Sequence, residues 1–245
     1  RDVKTICDME KMFSLIKLIT KKLMRCFIKM NENRVEKKFV LGKYQEDYLK
    51  KILIINGFTK YFVPRKISSI YLDTLNFDFA KDNINGVSKR KKIRFRWYND
   101  DCSKIYLEEK NKQNFFVRKN ISKAINFENK GNLVQNLGKY FLSLNKTYNN
   151  FNYKFVLQTN YLRSYWISND KKIRATIDTN IKASPINNLN RKLELNDTIL
   201  EFKFLPSNEK FFRNLFYLNN FNLRSKKYSK YLQSFYILED SGLIN

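Results

Sequence analysis

The chain has 245 residues and carries 48 Lys and Arg against 23 Asp and Glu, a formal net charge of +25. Apolar residues make up 43% of it, with 21 Phe and 15 Tyr against only 6 Gly and 3 Pro, which suits one large folded domain and excludes a collagen-like or disordered polymer. Histidine is absent, so Ser-His-Asp and Cys-His nucleophiles, histidine-ligated zinc and a histidine base are excluded, and any catalysis must rest on carboxylates, Lys, Arg, Tyr and metal ions.

In chain order, residues 9–29 read as an amphipathic helix, with Met12, Leu15, Ile16, Ile19, Leu23 and Phe27 on one face and Lys11, Lys17, Lys21, Lys22, Arg25 and Lys29 on the other. Lysines interrupt it too often for a membrane span, and no signal-peptide pattern is present. Packing on the outside of the domain is the plainer reading; an anionic membrane surface is the other place it can lie. Residues 1–32 are therefore set apart from a domain at 33–245. Arg1 in place of Met makes the chain a fragment, a processed form, or one extended ahead of Met30. Cys7, Cys26 and Cys102 form no paired spacing, which points to a reducing, cytoplasmic setting, at the cytosolic face of a membrane if the first helix lies on one.

From residue 33 the period becomes two, and strands are predicted near 33–41, 66–73, 90–99, 103–111, 114–120, 153–168, 171–184 and 198–205, with a weaker segment at 190–195. Helices are predicted at 43–56, 122–142, 207–219 and 226–238. The class is α+β, with about eight mostly antiparallel strands.

In Lys92-Ile93-Arg94-Phe95-Arg96-Trp97 every even position is cationic, so one strand face is a basic row. The same alternation places together Arg34, Glu36 and Lys38; Glu108 and Lys110; Arg174, Thr176 and Asp178; and Glu201 and Lys203. For one strand alone this is the wet face of an antiparallel sheet. Five such strands, with carboxylates among the cations and Phe, Trp, Ile and Leu on their other faces, suit a sheet curled into a closed barrel with helices outside and the charges inside. That interior would hold a multiply charged anion with a bridging metal.

The runs Lys92 to Tyr98, Leu107-Glu108-Glu109-Lys110, Val117-Arg118-Lys119, Tyr161-Leu162-Arg163, Ile173 to Thr179, Leu200-Glu201-Phe202-Lys203 and Lys227-Tyr228-Ser229-Lys230-Tyr231 occur in collinear order. Together with Glu36-Lys37-Lys38-Phe39 and Ser69-Ile70-Tyr71-Leu72-Asp73 upstream, this order resembles the catalytic domain of the vacuolar transporter chaperone (VTC) family, polyphosphate polymerases of the triphosphate tunnel metalloenzyme superfamily. The resemblance spans about residues 34–232 and implies an eight-stranded antiparallel tunnel holding ATP or polyphosphate with Mn²⁺ or Mg²⁺. It implies Lys38, Arg94, Arg96, Lys110, Lys119, Arg163 and Arg174 as phosphate-binding cations, joined by Lys203 from the alternation and by Lys227 and Lys230 from a terminal helix. Arg94, Arg96, Lys110, Arg174 and Glu201 would act in catalysis, with Glu201, and Glu36 beside it, as metal ligands.

The hydrolytic branch of the superfamily opens with Glu-x-Glu-x-Lys, and Arg34 stands at the first of those positions, which leans away from triphosphate hydrolysis. A terminal phosphate attacking the γ-phosphate of ATP is already ionised, so a polymerase needs no histidine base. Two other readings stay open: a hydrolase of the same fold, and a non-catalytic binder of polyphosphate or nucleic acid using Trp97, Tyr98, Phe115 and Phe116 as stacking platforms. Glu36, Glu108, Asp178 and Glu201 on the cationic faces argue against a nucleic-acid partner.

Overall fold

The computed structural model describes residues 34–114, 116–123, 132–144, 152–217 and 223–244. The chain divides into two units, Arg1–Arg34 and Val35–Asn245, and all the described strands and helices belong to the second. The amphipathic segment 9–29 and residues 124–131 of the helix expected at 122–142 lie outside the described residues.

Nine strands form one antiparallel sheet: β1 (Val35–Gly42), β2 (Phe58–Thr74), β3 (Lys89–Tyr98), β4 (Asp101–Gln113), β5 (Phe116–Lys123), β6 (Tyr153–Ser168), β7 (Arg174–Pro185), the two-residue β8 (Leu193–Glu194) and β9 (Asp197–Phe204). Their order is β1-β9-β7-β6-β2-β3-β4-β5, with β8 on β7. Among the described residues five α-helices accompany them: α1 (Glu46–Ile55), α2 (Asp78–Ile84), α3 (Leu133–Ser143), α4 (Glu209–Tyr217) and α5 (Lys230–Asp240).

The expected closed barrel is corrected in one respect: β1 and β5 are the ends of the sheet, and no ladder joins them among the described residues. The sheet nevertheless curls back on itself, because Lys110 Nζ on β4 comes within 3.5 Å of Glu36 Oε2 on β1. The backbone edge of β1 is occupied instead by the stretch ahead of α5. Lys226 N–H donates to the Lys38 carbonyl (2.8 Å), and Lys38 Nζ donates to the Tyr228 carbonyl (3.0 Å). A strand edge whose carbonyl already has a donor has less to offer a further ladder.

Period-two alternation divides the apolar residues between the two faces of this curled sheet. On the convex face, Phe39, Trp166, Ala175, Ile177, Phe202 and Phe204 are covered by Leu49, Ile52 and Leu53 of α1 and by Phe212 of α4. Further round, Ile70, Ile93, Phe95, Trp97, Ile105 and Leu107 lie under Leu137 and Phe141 of α3. Burial of side chains of this size contributes about 1.5–3 kcal/mol each, which is why these helices cover that face.

The expectation that all helices pack outside fails for α5. Its Tyr231, Leu232, Phe235 and Leu238 pack against Ile67, Tyr71, Leu157, Tyr161, Ile181 and Ile199, on the face that also carries Arg94 and Asp178. That face is apolar over part of its length, so a helix inside it buries surface that a purely ionic lining could not.

Asp73 ties α5 to the sheet. It has no exposed surface and accepts hydrogen bonds from Thr74 N (2.7 Å), Phe79 N (2.9 Å), Ala80 N (3.0 Å) and the Tyr231 hydroxyl (2.6 Å). Replacing it strands several buried donors at once. Asp73→Ala is expected to lower unfolding stability by about 3 kcal/mol, read as a shift in denaturant midpoint at unchanged slope. A shift below about 0.5 kcal/mol would remove Asp73 from this role.

Candidate functional site

The ladder registers bring the charged rows of separate strands onto one face. Lys92 lies opposite Lys110, which lies opposite Lys119; Arg94 lies opposite Glu108 and Tyr71; Arg96 lies opposite Ser69. Across the sheet Arg163 faces Asp178, Thr176 faces Glu201, Glu201 faces Lys38, and Lys203 faces Glu36. Curling turns these rows toward one another and makes them the lining of a channel.

Two buried carboxylates organise the cations. Glu108 Oε2 accepts from Arg94 Nε (2.8 Å) and lies 3.5 Å from Arg96 Nη1, while its Oε1 accepts from Lys119 Nζ (3.1 Å). Burial would raise its pKa, but Arg94, Arg96 and Lys119 outweigh that and hold it far below the carboxylate range. Asp178, with no exposed surface, accepts Arg163 side-on (2.5 and 2.7 Å) and Lys230 Nζ (2.5 Å). Burial again opposes ionisation there, and Arg163 and Lys230 reverse it. Arg96 is fixed further by donating to Ser69 Oγ (3.2 Å) and the Tyr161 hydroxyl (3.1 Å). The side chains of Arg94 and Arg96 are only 17% and 8% exposed, so neither lies on an open outer face.

Glu201 differs from these two. Lys203 Nζ, Arg163 Nη2 and Lys38 Nζ stand 3.7, 3.9 and 4.0 Å from its oxygens, none at hydrogen-bond length. Burial would raise its pKa, yet Lys203, Lys38 and Arg163 bring it down to about 2, so it stays ionised. Glu36 lies 3.7 Å from the other side of Lys203 and 3.5 Å from Lys110; against burial, those two cations hold its pKa below the ordinary value. Two carboxylates flank one lysine, and Glu201, which accepts no hydrogen bond among the described residues, keeps oxygen lone pairs of the kind a hard divalent cation takes. No group of three or more carboxylate, cysteine or histidine ligands comes together among the described residues.

Of the residues singled out in the sequence, Glu36, Lys38, Arg94, Arg96, Lys110, Lys119, Arg163, Glu201, Lys203 and Lys230 meet in this channel. Arg174 stands apart, exposed at the first residue of β7, opposite Lys203 in register. Lys227 is not on the terminal helix as expected, because that helix begins at Lys230; it is exposed in the stretch before it, near Lys112. Trp97 is 3% exposed in the outer core under α3 and so cannot serve as a stacking platform; the side chains of Phe115 and Phe116 lie outside the described residues.

Three lining residues were not singled out. Tyr71 and Tyr161 occupy the channel face as hydroxyl partners of Arg94 (3.4 Å) and Arg96. Lys92 has no carboxylate partner among the described residues, and its ammonium sits 4.8 Å over the Tyr71 ring. Burial, reinforced by Arg94, Lys38 and Lys110, brings Lys92 down to about 7. Burial would raise the Tyr71 phenol, but Lys92, Arg94 and Arg96 draw it down to about 6. Lys92 was visible in the Lys92-Arg94-Arg96 alternation; the tyrosines were visible only as members of the motifs Ser69 to Asp73 and Tyr161-Leu162-Arg163.

A family model described as VTC domain matches residues 33–239. Among curated proteins no match is found. Solved structures share the fold. A candidate adenylyl cyclase from Hippeastrum with a dominant triphosphatase activity superposes with TM-score 0.54 at 13% identity, covering 86% of this chain and 97% of its own. Candidate adenylate cyclases from Vibrio parahaemolyticus (TM-score 0.51, 14% identity, 83% and 99% covered) and Bacillus halodurans (TM-score 0.51, 15% identity, 84% and 99% covered) are similar in the same way. These are proteins of the triphosphate tunnel fold. By its collinear motifs, its curled charge-lined sheet and the family match over residues 33–239, the chain belongs to the VTC domain family.

Proposed function

We propose that this chain is a metal-dependent polyphosphate polymerase that transfers the γ-phosphate of ATP to a growing polyphosphate chain inside the channel. The observation that carries it is the excess of cations. Among the described residues, Lys38, Lys92, Arg94, Arg96, Lys110, Lys119, Arg163, Lys203 and Lys230 face only Glu36, Glu108, Asp178 and Glu201. The row continues beyond the centre organised by Glu108 and Asp178. Burial, with Arg90, Lys110 and Lys227 around it, lowers the pKa of Lys112. A second polyanion, the acceptor, would find its track there.

In this mechanism Arg94, Arg96 and Arg163 grip phosphate oxygens, held by Glu108 and Asp178 in fixed orientations so that little reorganisation is needed as charge develops. Lys38, Lys110, Lys119, Lys203 and Lys230 neutralise charge around them, and Arg174 meets phosphate at the end of β7. Glu201, with Glu36, would hold the divalent ion, which supplies Lewis-acid neutralisation of phosphate oxygens when bound. The attacking oxygen is already ionised, so no side chain need remove a proton. Water admitted in place of the acceptor would make the same site a triphosphatase, the second reading, favoured by the Hippeastrum neighbour's activity.

With γ-labelled ATP and Mn²⁺ or Mg²⁺, label is expected in long polymer; label in free phosphate alone would select the hydrolase. Glu201→Gln should retain or strengthen ATP binding while turnover falls about a hundredfold or more, the mark of an interaction needed mainly in the transition state. Wild-type turnover with unchanged metal dependence would remove Glu201 from the mechanism.

Lys92 gives a pH test. Free, its ammonium is largely deprotonated above pH 7; a bound polyanion raises its pKa, so binding takes up a proton. Between about pH 8 and 9.5, above the last ionisation of ATP, ATP affinity should fall by up to about tenfold per pH unit, and Lys92→Met should flatten that slope. The free protein should change the opposite way. Lys92 and Tyr71 both have folded pKa values below their unfolded ones, so the unfolded chain binds more protons and stability rises from about pH 6 to 10. A slope unaltered by Lys92→Met would exclude Lys92 from contact with the anion.

A further inference from the structure

One hydroxyl in the channel wall is buried without a partner. Thr176 lies on β7 between Arg174 and Asp178, two residues from each, so period-two alternation sets all three side chains on one face. It stands opposite Glu201 in the β7–β9 ladder and opposite Tyr165 in the β6–β7 ladder. Among the described residues its Oγ1 has no hydrogen-bond partner. The hydroxyls of Thr159, Ser184, Ser229 and Ser234 are buried and unpaired as well, but none of these residues stands opposite a carboxylate in a ladder.

That placement needs a cause. Side chains directly opposite in an antiparallel pair have Cβ atoms about 4.5–5.5 Å apart, and a hydroxyl rotates freely to donate to an acceptor in reach. Glu201 is an acceptor of that kind, for Lys203, Arg163 and Lys38 stand 3.7, 3.9 and 4.0 Å from it and none makes a hydrogen bond. A carboxylate and a hydroxyl thus lie side by side with their lone pairs uncommitted. Burying an unpaired hydroxyl costs stability, and Val, with nearly the same shape and a strand preference as strong, would remove that cost. A costly group in a wall otherwise held by ion pairs points to a ligand.

The oxygen donors fix the ligand's chemistry. A hard divalent ion shared with phosphates takes one or two carboxylates and further neutral oxygens, and a Ser or Thr hydroxyl holds Mg²⁺ in nucleotide-binding loops. A neutral ligand strengthens such a site without adding charge that repels phosphate. We propose that Thr176, through Oγ1, is a ligand of the divalent ion that Glu201 binds. This rests on Glu201 being a metal ligand.

The test uses the β,γ-imido analogue of ATP, whose γ-phosphate is not transferred, with wild type, Thr176→Val, Thr176→Ser and Glu201→Gln. Mn²⁺ affinity of the protein–analogue complex is read from water-proton relaxation, and the analogue's own affinity in EDTA from calorimetry. Thr176→Val should weaken Mn²⁺ about tenfold and leave the analogue in EDTA within about twofold of wild type. Its denaturant midpoint without ligand should rise at unchanged slope, because the unpaired hydroxyl is gone. Thr176→Ser keeps the oxygen and should hold Mn²⁺ within about threefold of wild type. Unchanged Mn²⁺ affinity in Thr176→Val, an equal loss in EDTA, or a lowered midpoint would make the hydroxyl a bystander, a phosphate contact or a structural group, and each overturns the proposal. A loss in Thr176→Ser as large as in Thr176→Val would assign the effect to packing and overturn it too. If Glu201→Gln binds Mn²⁺ as wild type does, the metal site at Glu201 falls and Thr176 with it; wild type that fails to bind the analogue in EDTA would overturn the channel reading and both metal ligands together.

Discussion

Everything in the channel depends on how a crowd of like charges is kept in a partly buried space. Two unit charges about 4 Å apart repel by ~4 kcal/mol at the effective dielectric of a protein margin, so an unbalanced ring of cations would spring the sheet open. Asp178 and Glu108 prevent this. Each is buried, each stays ionised, and between them they engage Arg163, Lys230, Arg94, Arg96 and Lys119. Where the hubs do not reach, the protein sheds charge. Lys92, with no carboxylate beside it among the described residues, is drawn down to about 7, and Lys38, buried before its attraction to Glu201 is felt, also lies below the ordinary lysine value. An entering polyanion supplies the counter-charge that the hubs leave missing, so ligand binding and the channel's own electrostatic relief are one event.

That arrangement demands a sheet whose polar rows face inward, and the hydrophobic effect supplies it from outside. Covering the convex face with α1, α4 and α3 leaves the charged rows no other side to occupy. Inside, α5 fills the apolar part of the concave face and points its first residue, Lys230, at Asp178. One helix thus closes a core and delivers a cation. The seam between β1 and β5 is crossed by side chains and by the stretch ahead of α5, so the channel's wall there is ionic and irregular where the rest is a hydrogen-bonded ladder.

The strands and most of the lining were legible because period-two alternation is a local property and carries its face assignment with it. Residues 153–168 and the Lys92-Arg94-Arg96 row needed nothing more. What escaped depends on tertiary context or on irregular backbone. The first half of β2 was missed because Pro64 and two register shifts destroy the alternation there. The seven-residue α2, with only Ala80 buried, leaves too short an apolar period to detect. The unclosed sheet, the inward position of α5 and the non-helical Lys227 are facts of packing between distant segments, which no local period encodes. Glu108 and Asp178 were legible as carboxylates on the right faces, but their part as hubs follows from Arg94 and Arg163 lying opposite them in register.

The two ends of β3 carry different chemistry, and this bears on which polyanion enters where. At one end Tyr98 joins the Arg65 aromatic cluster; at the other Arg90 stands opposite Lys112, with Lys227 close by. Eight residues of strand separate them, about 26 Å. The first end mixes a guanidinium with aromatic rings, and the second carries cations alone. A phosphate chain laid along β3 would therefore find continued charge complementarity only toward Arg90 and Lys112, with Arg94 midway between the two ends.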